Sequence, residues 1–272
     1  MINWSAIDPR SLMGRILRLP ARALPAGTVM RIRRGPARGM KWISGSAIHG
    51  CWLGTYELDK QRALERFVRP GMTVYDIGAQ AGFYTLFFSR LVGDAGRVYA
   101  FEPCPYEARF LVDHTRINRL ENVQIIQAAV SERAGFVGMT FDRGMTQNEI
   151  CNSSDSNLIV PSLTLDDSGL ARPEVIKMDV EGAEFAVLNG ARQMLRKARP
   201  VVFVALHGSK QRAACLEIFT ELGYRVYGLG GEPADDASPI DEIYALPTET
   251  RLLGRSAATA GRHWGDNAEA NS

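Results

Sequence analysis

From Thr73 onward, short runs of β-branched and aromatic residues alternate with longer amphipathic segments. This alternation predicts an α/β fold, in which a mostly parallel sheet carries helices on both faces. The predicted strands are TVYDI (73–77), RVYAFE (97–102), VQIIQ (123–127), EVIKMDV (174–180) and PVVFVAL (200–206). The predicted helices span residues 83–91, 105–118, 183–196 and 211–222. Two later runs, YRVYGL (224–229) and EIYALP (242–247), flank a turn-rich segment and predict a closing antiparallel strand pair.

Composition divides the chain into three parts. Residues 1–60 are Arg-rich and predict a basic N-terminal extension, whereas residues 61–248 carry the strand and helix pattern of the main domain. Residues 249–272 are mostly small and polar, and we expect a disordered tail there. Within the main domain, residues 135–162 indicate a strand pair with a polar loop of unassigned role.

The turn after the first predicted strand has the pattern Asp76-x-Gly78-x-x-x-Gly82 and leads directly into a helix. Such a turn presents backbone N–H groups to a polar or anionic ligand. Glu102 ends the second strand, where a carboxylate can accept two hydrogen bonds from a ribose diol. The ligand is therefore a dinucleotide or S-adenosylmethionine. We favour S-adenosylmethionine, because the spacing is not G-x-G-x-x-G and because Asp76 would repel a pyrophosphate but attract an ammonium group.

Two segments, YDIGAQAGFYTLFFSRLVGDAGRVYAFEPCP (75–105) and IKMDVEGAEFAVLNGA (176–191), resemble the FkbM-type S-adenosylmethionine-dependent methyltransferases. The shorter segments WLGTYE, VPSLTLDD and RPVVFVALH fall where that family has similar ones. The resemblance covers residues 50–247, and the K-x-D-x-E-G-x-E block is its most specific part.

This resemblance implies a Rossmann-like class I methyltransferase fold with a seven-stranded sheet and S-adenosylmethionine as the cofactor. It implies that Gly78, Gln80 and Gly82 line the methionine end of the cofactor, with Asp76 beneath it and Glu102 on the ribose. Family members methylate hydroxyl oxygens of sugars, glycolipids and polyketide-type natural products. The chain departs from the family at Gln80, which is usually Asn, and at Ala205, where an acidic residue commonly precedes x-His.

Methyl transfer to a hydroxyl needs a group that removes the hydroxyl proton. Lys177, Asp179 and Glu181 recur at every second residue, so they share one side while the chain stays extended. A structural account has Lys177 and Asp179 neutralising each other, with Glu181 and Glu184 stabilising the next helix N-terminus. The functional account, which we favour, has Asp179 or Glu181 orienting or deprotonating the acceptor. His207 follows the fifth strand and is the competing base.

Three further residues are candidates for binding the acceptor. Tyr56 and Glu57 belong to a segment that can cover the cofactor or acceptor, with packing as the alternative role for Tyr56. Glu184 follows Asp179 and Glu181, which are called the acidic block below. Asp179, Glu181 and Glu184 also offer oxygen ligands for a divalent ion. Because Ala205 supplies no matching acid, we expect no metal.

The charge distribution bears on partners. The first 41 residues hold eight Arg and one Lys against one Asp. This extension is a solvated face by default, and the alternatives are attraction of an anionic acceptor or peripheral contact with an anionic membrane. We expect no nucleic-acid partner, because the arginines are not interleaved with aromatic residues that stack on bases.

The sequence also bears on location. No apolar run approaches the roughly 18 residues of a membrane span, and the N-terminus lacks a signal-peptide pattern. The four cysteines are dispersed, which favours reduced thiols and a cytoplasmic location.

These observations predict an S-adenosylmethionine-dependent O-methyltransferase that acts on a hydroxyl of a small molecule, glycan, glycolipid or secondary metabolite. Two alternatives stay open. One is a nicotinamide-dependent oxidoreductase, and the other is a non-catalytic nucleoside-binding or scaffolding protein of the same fold.

Overall fold

The structure is a computed structural model that describes residues 25–140, 150–151, 156–236, 238 and 240–249. The predictions for residues 1–24, for part of the polar loop and for the tail from residue 250 lie outside the described residues. In the described part, no helix combines the length and apolar character that crossing a bilayer requires.

The helices are α1 (His49–Leu53), α2 (Leu58–Glu65), α3 (Phe83–Val92), α4 (Pro105–Asn118), α5 (Glu184–Asn189), α6 (Arg192–Ala198) and α7 (Ser209–Glu221). The strands before residue 140 are β1 (Val29–Arg31), β2 (Lys41–Ile43), β3 (Thr73–Ile77), β4 (Arg97–Phe101), β5 (Val123–Ile126), β6 (Ala129–Val130) and β7 (Gly135–Met139). The later strands are β8 (Ile150–Cys151), β9 (Leu158–Leu163), β10 (Val175–Met178), β11 (Val201–Ala205), β12 (Tyr224–Gly228) and β13 (Glu242–Pro247).

A seven-stranded sheet in the order β12-β13-β11-β10-β3-β4-β5 forms the centre of the protein. Strand β13 runs antiparallel to both of its neighbours, and every other pairing in this sheet is parallel. The predicted fold class and its closing antiparallel strand are confirmed. The strand order reverses between β3 and β10, and open α/β sheets bind ligands at the carboxyl ends of the strands beside such a reversal.

The side chains of β3 alternate between the two faces of the sheet, as the period of a strand requires. Val74 packs with α3 and with Trp42 on one face. Tyr75 and Ile77 pack on the other face with residues of α5, α6 and α7. The sheet is therefore covered on both sides, and its strand ends are left to form the site.

The described part of the basic extension packs onto the α3 face. Strands β1 and β2 form an antiparallel hairpin. Ile32 and Trp42 from this hairpin are almost fully buried in the same cluster as Phe83. This packing brings residues 42–57 to the edge of the sheet where the strands end.

One predicted helix was wrong in its extent. Residues 183–196 were expected to form one helix, but the structure has α5 and α6 with a break at Gly190 and Ala191. A Cβ at Gly190 would lie 2.1 Å from the backbone oxygen of Ser131, so the chain passes too close there for any other residue. The break therefore follows from a contact that is distant in the sequence.

Candidate functional site

The glycine turn has the conformation that its sequence pattern predicts. Gly78 has a φ of +74°, and a Cβ there would lie 1.9 Å from the backbone oxygen of Asp179. Gly82 is the N-cap of α3 with a φ of +96°, and a Cβ there would lie 2.6 Å from Leu111. Both positions therefore require glycine.

Asp76 lies beneath the turn and is completely buried. Lys177 is its partner in the parallel β3–β10 ladder, and the Lys177 ammonium lies 3.3 Å from the Asp76 carboxylate. Asp76 also accepts a hydrogen bond from the Thr85 hydroxyl, while Lys177 donates one to the Gly78 carbonyl. The Asp76 carboxylate thus contacts Lys177 and Thr85 and lines neither of the two cavities described below, and its role beneath the cofactor's ammonium stays a prediction.

Glu102 lies at the end of β4 and borders a small cavity of about 50 Å³. Its two carboxylate oxygens accept backbone hydrogen bonds from Gln80 and Cys104, each at 2.8 Å. Burial raises the pKa of this carboxyl to about 7, against the lowering effect of the two hydrogen bonds. The same cavity has apolar walls at Phe101, Val130 and Met139. A carboxylate beside an apolar slot fits the ribose and adenine of S-adenosylmethionine.

A larger cleft of about 510 Å³ adjoins this cavity. Gly78, Gln80, Asp179 and Glu181 line both spaces. The candidate acceptor residues Tyr56 and Glu57 line the larger cleft, as do Gly82, Lys177 and His207. The turn and the acidic block thus form the border between the two spaces.

Strained backbone marks the rim of the cleft. Glu57, Gln80 and Glu181 have φ values of +44°, +48° and +47°. A non-glycine residue in this region costs of order 1–3 kcal/mol and persists only where its surroundings hold it. The chain is not extended as far as Glu181, because β10 ends at Met178 and the φ of Glu181 is positive. The predicted one-sided alternation was wrong at Glu181, although Asp179 and Glu181 still line the same cleft.

Three carboxylates, from Glu57, Asp179 and Glu242, form an acidic wall of the larger cleft, and the ammonium of Lys60 lies among them. It is 2.7 Å from Glu57, 2.6 Å from Glu242 and 3.6 Å from Asp179. Burial alone would lower its pKa, but these carboxylates raise the pKa above its ordinary value. The pKa of Asp179 is lowered, because Lys177 and Lys60 outweigh the effect of burial. The direct contact of Lys177 is therefore with Asp76 and that of Asp179 is with Lys60, although the charge of Lys177 still acts on Asp179 as the structural account expects.

His207 lies opposite the acidic block. Its Nδ1 is 2.6 Å from Oε1 of Glu184, and its Nε2 is 3.4 Å from Oε2 of Glu181. Burial lowers the pKa of the imidazole, but the hydrogen bond with Glu184 and the charge of Glu181 outweigh it and raise the pKa. Glu184 itself is completely buried and lines neither cavity, and its predicted contact with the acceptor stays a prediction. Its carboxylate holds the ring of His207.

Two residues of this region, Lys60 and Glu242, were not predicted from the sequence as site residues. Lys60 was placed in the extension, and its only local signal is the i+3 spacing to Glu57. Glu242 begins β13 and lies opposite Ala205 in the antiparallel ladder. The family resemblance leads one to expect an acid at position 205, and Glu242 supplies a carboxylate beside that position. This neighbourhood is set by the strand register and cannot be read from the local sequence.

A model of the FkbM methyltransferase domain matches residues 76–226, which is more than half of the 272 residues. The chain belongs to the FkbM methyltransferase family. This membership confirms the family predicted from the sequence, and it decides between the two cofactors in favour of S-adenosylmethionine. The match begins at Asp76 and includes the glycine turn, Glu102, the acidic block and His207.

Curated relatives of this FkbM-family protein match over short segments. The ribosomal RNA large subunit methyltransferase E of Alkalilimnicola ehrlichii is 39% identical over 70 residues, covering 26% of this chain and 28% of the relative. The ribosomal protein L11 methyltransferase of Pelotomaculum thermopropionicum is 37% identical over 73 residues, covering 26% and 23%. The chain therefore spans less than a third of the length of either relative.

Solved structures are also similar to the chain, at low sequence identity. The methyltransferase FkbM from Methylobacillus flagellatus KT has a TM-score of 0.45 and 16% identity, covering 74% of this chain and 55% of that one. The fibrillarin of Aeropyrum pernix, solved with S-adenosyl-L-methionine bound, has a TM-score of 0.44 and 16% identity, covering 82% of this chain and 100% of that one.

Proposed function

We propose that this FkbM-family methyltransferase transfers the methyl group to a hydroxyl oxygen of a glycan, glycolipid or secondary metabolite. The observation that carries the proposal is the position of three proton-accepting side chains. One ligand atom from each of Asp179, Glu181 and His207 lies within 4.8 Å of the other two. Two of these residues line both the cavity beside Glu102 and the larger cleft, which is the border that a donor and an acceptor would share.

S-adenosylmethionine, when bound, supplies a methyl group on a sulfonium, and its transfer to oxygen leaves neutral S-adenosylhomocysteine. The protein's part is to orient the acceptor hydroxyl and to take its proton. Asp179 and Glu181 are carboxylates at the cleft border, and His207 is held by Glu184 with Nε2 directed toward Glu181. This cluster is the proposed proton acceptor.

The acidic wall also restricts the acceptor. Glu57, Asp179 and Glu242 share the single ammonium of Lys60. A phosphate placed among these carboxylates would be repelled, which disfavours a nucleic-acid backbone at this position. This repulsion argues against the RNA acceptor named for one relative, and we propose a neutral hydroxyl as the group that enters the wall.

The proposal is tested by incubating the protein with methyl-labelled S-adenosylmethionine and extracts of glycan and lipid from cells that lack the protein. We expect the label in a methoxy group. Label in an N-methyl group, or in RNA alone, would contradict the proposal. No label in any fraction, with S-adenosylhomocysteine still bound, would favour the non-catalytic alternative.

Variants then test the cluster itself. Asp179→Asn and Glu181→Gln keep the shape of each side chain, and we expect turnover to fall by about 10²–10⁴-fold while S-adenosylhomocysteine still binds. Asp59→Asn is the matched control, because Asp59 is exposed and pairs only with Arg62 among the ion pairs of the described residues. Unchanged turnover in both cluster variants would end the assignment of these carboxylates.

A further inference from the structure

The cluster of Asp179, Glu181 and His207 has the composition of a metal site as well as that of a base. It offers two carboxylate oxygens and one imidazole nitrogen within 4.8 Å of one another. An ion that binds ligands at about 2.1 Å brings neighbouring octahedral ligands to about 3 Å from each other and opposite ones to about 4.2 Å. The 3.4 Å between His207 Nε2 and Glu181 Oε2 is close to the first of these separations.

The imidazole is held in the way that metal-binding histidines are held. A ligating histidine commonly donates its other ring N–H to a carboxylate, which fixes the ring and makes the ligating nitrogen more basic. Here Nδ1 of His207 lies 2.6 Å from Oε1 of Glu184, and the backbone N–H of Gly182 donates to the same oxygen at 3.0 Å. Nε2 is therefore the nitrogen directed at the cluster.

Glu184 gives a second sign that this site favours a cation. It is completely buried, and its Oε2 has no hydrogen-bond partner among the described residues. A buried carboxylate is costly unless cations or hydrogen bonds compensate it. Through its contact with Nδ1, the negative charge of Glu184 favours a positive charge on the imidazole side of the cluster. A cation bound at Nε2 would supply that charge.

The surrounding charges point the same way. Lys60 is shared by three carboxylates, and Lys177 is engaged by Asp76. Glu242, opposite Ala205, adds the acid that the sequence comparison leaves missing at that edge. The reason for expecting no metal, the alanine at position 205, therefore loses its force.

We propose that Asp179, Glu181 and Nε2 of His207 bind one divalent cation of the Mn²⁺ or Mg²⁺ class, with Glu184 as the positioning residue of His207. Mixed carboxylate and imidazole ligands suit such an ion, which keeps its remaining positions for water or an acceptor oxygen. This inference rests on the proposed function in one respect: the ion would bind the acceptor hydroxyl and lower its pKa. The hydroxyl proton would pass to the second oxygen of Asp179 or Glu181, and the oxygen would attack the methyl carbon as the carbon–sulfur bond breaks.

The test measures metal binding without any acceptor. Untagged full-length protein is treated with a chelator, exchanged into metal-free buffer and titrated with Mn²⁺ by calorimetry and electron paramagnetic resonance. We expect one Mn²⁺ per chain. Asp179→Asn, Glu181→Gln and His207→Gln should each weaken binding at least tenfold, whereas Asp59→Asn should bind like the unchanged protein. No saturable binding, or equal binding by all variants, would overturn the proposal.

Glu184→Gln separates a positioned metal ligand from a merely packed histidine. The amide keeps the shape of the side chain but removes the negative charge of the carboxylate that contacts Nδ1 of His207, and such changes commonly cost 10–100-fold in metal affinity. An unchanged Mn²⁺ affinity in this variant, with the fold intact by circular dichroism, would overturn the role given to Glu184.

The outcome is distinguishable from failure of the proposed function. Methoxy product formed at full rate by chelator-treated protein would overturn the metal site and leave the O-methyltransferase standing. Site-specific Mn²⁺ binding combined with an N-methyl product would leave the metal site standing and overturn the hydroxyl acceptor.

Discussion

The surroundings of Glu102 bring the pKa of its carboxyl close to neutral pH. Burial raises the pKa of its carboxyl from 4.5 to about 7, and Gln80 and Cys104 hold both oxygens through their backbone N–H groups. A ribose diol donates hydrogen bonds, so the ionised carboxylate is the better acceptor. Cofactor binding should therefore depend on pH through this one group.

We predict that the affinity for S-adenosylhomocysteine rises as the pH increases from about 6 to about 8 in the unchanged protein. Glu102→Gln should bind about 10–100-fold more weakly at pH 8, as expected for the loss of hydrogen bonds to a charged group, and its affinity should be flat over this range. Calorimetry at several pH values checks both parts. A pH step that persists in Glu102→Gln would assign the titration to another group.

The same shift affects the stability of the ligand-free protein. The pKa of Glu102 is higher in the folded than in the unfolded state, so its contribution to stability is present below pH 4.5 and is lost as the pH rises through about 7. Thermal melts without ligand should show this contribution in the unchanged protein and not in Glu102→Gln. Addition of S-adenosylhomocysteine should reduce the difference, since binding stabilises the ionised form.

Among single residues, the spacing in the sequence predicted correctly those whose role depends on the local backbone conformation. Gly78 and Gly82 need positive φ, which the spacing after a strand indicates directly. The partners of Asp76 and Asp179 were not predictable in this way. Asp76 meets Lys177 through the register of two strands separated by about a hundred residues, and Asp179 meets Lys60 through packing of the extension.

His114 connects three elements of the fold. It lies on α4 and is completely buried, with its ring stacked on Trp42 of β2 at a centroid distance of 4.0 Å. Its Nε2 accepts from the backbone N–H of Ile43, so Nδ1 donates to the carbonyl of Ala81 in the glycine turn. One imidazole thus joins the N-terminal hairpin to the turn.

We predict that His114→Phe lowers the free energy of unfolding by about 2–4 kcal/mol, because it keeps the stacking on Trp42 but leaves a part-buried N–H and a buried C=O unpaired. Chemical denaturation followed by Trp fluorescence measures this. Asn118→Ala is the matched control on the same helix, since Asn118 also bonds to β2, through Lys41, but at the exposed surface. Equal losses in the two variants would contradict a special role for His114.

This connection also has a pH dependence. Burial lowers the pKa of His114 from 6.5 to about 4, so its contribution to stability is present above pH 6.5 and is lost as the pH falls toward 4. His114→Phe should remove that part of the acid sensitivity.

The bounds of helices and strands were predicted correctly where sequence periodicity alone decides them. The prediction failed where contacts between distant parts of the chain intervene. The bounds of β3, α4 and β13 match the predicted runs residue for residue. The break between α5 and α6 depends on the approach of Gly190 to Ser131. Strands β1 and β2 are three residues each, which is too short for an alternation to stand out from an Arg-rich segment.

Across the whole molecule, charge of opposite sign collects on two neighbouring surfaces. One is the acidic wall of the cleft. The other is a basic face that the N-terminal hairpin exposes beside it, defined here as Arg31, Arg33, Arg34, Arg38 and Lys41. If the proposed function is correct, these two surfaces favour an acceptor with two parts: an anionic part that contacts the hairpin and a neutral hydroxyl that enters the cleft. A glycolipid in an anionic membrane has both parts.

We predict that the full-length protein sediments with vesicles containing anionic phospholipid at low salt and not with neutral vesicles. Each basic side chain near such a surface contributes about 1 kcal/mol, so Arg33→Gln, Arg34→Gln and Arg38→Gln together should weaken binding by about two orders of magnitude. Arg196→Gln with Lys197→Gln is the control, because these residues are equally exposed on α6, away from the hairpin. Raising the salt should remove the difference, since screening acts on exposed charge. If the hairpin and control variants bind alike at low salt, the basic face has no role in membrane contact.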